Sequence, residues 1–107
     1  SVLRLAWGVT MTNIKTLLLP KWGMGMIEGV VCEWLISEGE TFTEGQQICE
    51  IETSKIANVM EAPFNGVLRR IIAFPGDTVP VGAIIGISAT IDISEDDIEN
   101  FVKLSLE

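Results

Sequence analysis

The chain has 107 residues, 48% hydrophobic and 21% charged, the make-up of one small folded domain and not of a disordered segment. A formal charge of −8 leaves no basic face for a nucleic-acid backbone or an anionic lipid surface, so neither nucleic acid nor membrane is expected as a partner. Histidine is absent, which excludes Ser-His-Asp triads, histidine acid–base catalysis and His-ligated zinc within this chain.

In chain order, residues 1–14 read as an N-terminal extension. Ser1–Thr10 is too short and poorly organised for a secretory signal, and Met11 reads as a natural start with residues 1–10 foreign to it. No apolar run approaches the ~20 residues of a membrane span. The core of the pattern is a repeat. Gly29–Thr53, GVVCEWLISEGETFTEGQQICEIET, aligns without a gap on Gly66–Thr90, GVLRRIIAFPGDTVPVGAIIGISAT, at a constant offset of 37 positions. Gly29/Gly66, Gly39/Gly76 and Gly45/Gly82 coincide, as do Val30/Val67, Thr41/Thr78, Ile48/Ile85 and Thr53/Thr90.

Each copy predicts short strands, over Val30–Ile36 and Gln47–Thr53 in the first and Val67–Phe74 and Ala83–Ala89 in the second. Turns at Glu38-Gly39-Glu40, Glu44-Gly45, Pro75-Gly76-Asp77 and Val81-Gly82 place glycine where a left-handed backbone is needed. Two copies cannot form a solenoid, so they should pack on each other. The expected fold is all-β, a sandwich of two small antiparallel sheets with pseudo-twofold symmetry. Trp34, Val31, Leu68 and Ile71 are the expected core. Residues 92–107 carry a capping box, Ser94 with Asp97, and read as a short helix or acidic linker leaving the domain.

Between the copies, Ala57–Ala62 predicts a strand returning along Gln47–Thr53, with Thr53-Ser54-Lys55-Ile56 at the hairpin tip. A lysine in a turn is ordinarily only a solvated charge. Here it falls on the dyad of the repeat, with Glu50 and Glu52 leading to it and Glu61 beyond, a setting that suits presentation of the amine to another enzyme. Cys32 and Cys49, seventeen positions apart, read as small buried hydrophobes of a reducing compartment, hence a cytoplasmic location, or the mitochondrial matrix in a eukaryote.

The run Leu19-Pro20-Lys21-Trp22-Gly23-Met24-Gly25-Met26-Ile27-Glu28-Gly29, followed by Ile51-Glu52-Thr53-Ser54-Lys55-Ile56 and Ala62-Pro63-Phe64-Asn65-Gly66, resembles the lipoyl domains of the biotinyl/lipoyl carrier family. The resemblance spans residues 15–91 and implies a barrel-sandwich hybrid with lipoate joined by an amide to Lys55. It points to dihydrolipoamide acyltransferases of pyruvate and especially acetoin dehydrogenase systems. Biotinyl carriers set their lysine between methionines, whereas Ser54 and Ile56 flank Lys55. The family mostly has Asp where Ser54 stands; either residue can hydrogen-bond locally in a turn.

The resemblance implies a non-catalytic swinging-arm carrier with four partners. A lipoate–protein ligase would load it, a thiamin-diphosphate decarboxylase would acylate it, an acyltransferase core would unload it, and dihydrolipoamide dehydrogenase would reoxidise it. Glu52, Thr53, Ser54, Ile56, Met24 and Met26 are the expected recognition residues around the turn. For the methionines, core filling is the competing reading. The isolated domain is expected to be a monomer. A biotinyl carrier and an unmodified interaction domain are the alternatives.

Overall fold

The structure, a computed structural model, describes residues 13–54 and 56–106; residues 1–12 of the extension read over 1–14, the lysine at 55 and residue 107 lie outside them. Eight strands and one helix follow in order: β1 (Ile14–Leu18), β2 (Glu28–Trp34), β3 (Thr41–Phe42), β4 (Gln47–Glu52), β5 (Ala57–Glu61), β6 (Gly66–Ile71), β7 (Thr78–Pro80), β8 (Ile84–Ala89) and α1 (Glu95–Leu106). They form two four-stranded antiparallel sheets, ordered β1-β8-β6-β3 and β5-β4-β2-β7.

The 37-residue offset governs the hydrogen bonding as well as the sequence. On one side β2 pairs with β4 through Val31↔Ile51 and Trp34↔Cys49, while on the other β6 pairs with β8 through Leu68↔Ser88 and Ile71↔Gly86. The register breaks also correspond, falling between Val31 and Glu33 in one copy and between Leu68 and Arg70 in the other. Gly39 N–H donates to Leu68 O and Gly76 N–H to Val31 O, so each copy's first turn is tied to the other copy's central strand. Those turns need glycine: φ is 96° at Gly39 and 95° at Gly76, a region that costs any residue with a Cβ.

The copies also exchange strands, which the repeat alone did not foretell. β3 of the first pairs with β6 of the second, and β7 of the second pairs with β2 of the first. Neither copy can therefore complete its own sheet, and the dyad is structural.

Between the sheets lie Leu17, Leu19, Val31, Phe42, Ile48, Ile51, Leu68 and Ile85, all essentially without exposure. Val31 and Leu68 thus take the expected core positions. Trp34 and Ile71 are only partly buried and pack against the cluster from its edge. The Trp34 indole donates to Ala73 O at 2.8 Å, which satisfies the one polar group such a ring brings.

Of the two readings of the C-terminal segment, short helix or acidic linker, the helix is the one formed, over Glu95–Leu106, and it packs on the domain instead of leaving it. Ser94 Oγ accepts the Asp97 N–H at 3.1 Å and starts α1, whose first turn holds Glu95, Asp96 and Asp97 at the positive end of the helix dipole. The helix then lies back on the β1-β8-β6-β3 sheet. Ile98 is fully buried in a second cluster with Ile14, Ile87, Ala89 and Ile93, flanked by Phe101 and Val102. Of the acids that suggested a solvated tail, Asp96 and Asp97 are exposed while Glu95 and Glu99 pair with arginines of β6, beside the apolar stripe that Ile98 buries.

Candidate attachment site

β4 and β5 form a hairpin whose last paired residues are Glu52 and Ala57. Beyond them Thr53 N–H donates to Ile56 O at 2.8 Å, and the Thr53 hydroxyl donates to the same oxygen at 3.0 Å. Only positions 54 and 55 separate residues locked in this way. The two flanks of this short connection, Thr53 and Ile56, are thereby held together. Ser54 and Ile56 are exposed, Ile56 to 59% of its surface, so the described neighbours leave the turn open for a foreign active site and for an attached arm. Glu52 is exposed and Thr53 half-buried.

Beside the turn runs an open groove of about 630 Å³, lined by Trp22, Met24, Ile27, Glu52, Ile56 and Asn58, among others. Its origin is a break in the symmetry. The partners of β1 on β8 correspond to those of β5 on β4 when β1 and β5 are offset by 43 positions, whereas every other strand pair keeps 37. Six extra residues therefore lie between Leu18 and Gly29 relative to the equivalent stretch between Glu61 and Gly66. At the opposite pole the dyad-related hollow, lined by Asn13, Lys15, Asn65 and Ser88, is about 230 Å³ among the described residues. Among the described residues no hairpin closes that pole, where β1 begins and β8 ends. One end of the barrel thus has both a closed turn and a walled groove.

The two methionines separate. Met24 is 96% exposed and fills no core, while Met26 is half-buried, packs against the main cluster and accepts the Trp22 N–H at 3.4 Å. Met26 holds the loop down and Met24 is presented by it. Ile27, 75% exposed, was not singled out in the sequence, yet it lines the same wall. The excess of apolar residues between Leu19 and Gly29 was its only advance signal. Cys32 and Cys49 are both free. Cys49 lies in the core, and burial, reinforced by Cys32 and Glu50, pushes its thiol up to about 12, so it is an inert filler. Partial burial and then Glu52 and Glu50 raise the Cys32 thiol as well.

Comparison with known proteins agrees with this geometry. Residues 15–87 match the biotin/lipoyl family described as biotin-requiring enzymes. The chain is 43% identical, over 87% of its length, to the dihydrolipoyllysine-residue acetyltransferase component of the acetoin cleaving system of Pseudomonas putida, and 45% identical, over 84%, to that of Cupriavidus necator. It spans about a quarter of those relatives, 25% and 24%. Among solved structures it superposes on the lipoyl domain of the 2-oxoglutarate dehydrogenase complex of Azotobacter vinelandii with a TM-score of 0.57 and 28% identity, covering 69% of this chain and 94% of that one. The chain belongs to the biotinyl/lipoyl carrier family, as a lipoyl domain of the acyltransferase-component type. It is a small carrier domain of an acyltransferase component.

Proposed function

We propose that Lys55 is the lipoate attachment point and that the domain shuttles acyl groups and reducing equivalents within an acetoin or pyruvate dehydrogenase complex in the cytoplasm. The observation that carries this reading is the pinned two-residue connection between Thr53 and Ile56, in which Lys55 stands between Ser54 and Ile56 and not between methionines. The names of the acetoin-system relatives support the choice of complex.

When bound, lipoate would supply a dithiolane able to carry an acyl group and two electrons. The chain's own residues do the positioning. Paired β4 and β5 make a stiff stalk, and the Thr53–Ile56 bonds fix its end. Exposed Met24, Ile27 and Ile56 offer apolar contact beside acidic Glu52, so a partner suited to this end combines apolar and positive groups. A lipoate–protein ligase would load the site, a thiamin-diphosphate decarboxylase and an acyltransferase core would exchange acyl groups at it, and dihydrolipoamide dehydrogenase would reoxidise it. Tethering raises the local concentration of the arm to the level set by the linker.

Incubation of the full chain with a lipoate–protein ligase and, separately, with a biotin ligase tests this reading by intact mass. A lipoyl adduct from the first and none from the second is the expected result. Biotin addition, or no adduct from either enzyme on the folded chain, would overturn it.

A further inference from the structure

The family match ends at residue 87, yet the packed structure continues to the last turn of α1. We propose that α1 is a strap integral to the domain, which seals an apolar outer face that only the second copy possesses. The unit that folds together then runs from β1 through α1 and does not stop at residue 91. This inference is independent of what Lys55 carries.

Three observations converge on it. First, the face under the helix is made of Ile14, Ile72, Ile84, Ile87 and Ala89, all buried or half-buried. A sheet face of that composition left to water would be a patch seeking a partner. Second, Arg69 works as a clasp. Its guanidinium donates to Thr90 O at 2.7 Å, to Ile93 O at 2.8 Å and to Glu95 at 3.0 Å, so one β6 side chain holds the link between β8 and α1 and the helix's first turn. Its side chain is only 9% exposed, as expected for a group held on several acceptors. Third, Arg70 pairs with Glu95 at 3.2 Å and with Glu99 at 2.7 Å, one helical turn apart, which sets the rotation of the helix so that Ile98 faces the sheet. Arginines at two adjacent positions of β6, facing acids spaced along α1, have no counterpart in the first copy, where Cys32 and Glu33 stand at the equivalent places.

Hydrogen exchange on the full chain, read segment by segment, tests the strap. In the unaltered chain the α1 amides should be protected at least about tenfold beyond an isolated helical peptide of that length, because isolated helices this short are marginal in water. Ile98→Asp should abolish that excess while β2 and β4 stay protected. A gentler pair keeps the core intact: Arg70→Glu should speed α1 exchange about threefold, an effect of the size partly exposed ion pairs have. Adding Glu99→Arg should recover much of the loss. Unprotected α1 amides in the unaltered chain would overturn the strap. So would protection of α1 that persists in Ile98→Asp.

Discussion

The outer faces of the two sheets occupy equivalent positions of one repeat and have opposite characters. On the β5-β4-β2-β7 sheet stand Glu33 of β2, Leu35 just past it, and Gln47, Glu50 and Glu52 of β4; 37 positions later on the other sheet stand Arg70 of β6, Ile72 just past it, and Ile84, Ile87 and Ala89 of β8. The inner faces match closely, Val31 with Leu68 and Ile48 with Ile85, because both line one shared core. Symmetry is thus kept where the copies meet each other and given up where each meets something else. The first outer face is acidic and meets solvent, and the second is apolar and meets α1.

Exchanging one residue between the faces should break this contrast most sharply. Ile87→Glu places in the second copy what the first has at Glu50, burying a carboxylate under α1 beside Ile98, and should cost about 3 kcal/mol or more in chemical denaturation. Glu50→Ile, the converse, should change stability by no more than about 0.5 kcal/mol, since its site is half exposed. Equal effects in both directions would mean that α1 does not distinguish the faces.

The clasp comes next in size. Arg69→Ala removes donors from the Thr90 and Ile93 carbonyls and should cost about 2 kcal/mol, whereas Cys32→Ala at the equivalent position should stay below about 1 kcal/mol. Acid should have the smallest effect. Glu95 is held below its ordinary value of 4.5 by the Arg69 and then the Arg70 guanidinium, and Glu99 by Arg70. Asp92, nearby, is lowered chiefly by the Thr90 hydroxyl. A carboxylate with a depressed folded value adds stability above its unfolded value and loses it as pH falls through the folded one. The α1 amides should therefore lose protection only below about pH 4.5. Loss of helix protection already between pH 6 and 8 would assign the anchoring to some other group.

The strands, turns and dyad were legible because the repeat preserves glycines at Gly39/Gly76 and Gly45/Gly82 along with the inward apolar positions, and those are local requirements of backbone and core. Exchange of β3 and β7 between the sheets was not, since a two- or three-residue strand carries no period that names its partner. The turn around Lys55 could be read from Glu52-Thr53-Ser54-Lys55-Ile56, while the groove beside it depends on six residues that interrupt the repeat. The docked helix left a signal that composition obscured. Ile84–Ala89, IIGISA, lacks the alternation of Gln47–Glu52, QICEIE, and a strand without alternation is covered on both faces.

Placement of the carrier group tests the central claim most directly. After treatment of the full chain with lipoate–protein ligase, peptide mapping by mass spectrometry should find lipoate on the peptide containing Lys55 and on none containing Lys15, Lys21 or Lys103. A Lys55→Arg variant with unchanged thermal stability should take up none. Lipoate on another lysine, or undiminished loading of the Lys55→Arg chain, would contradict it.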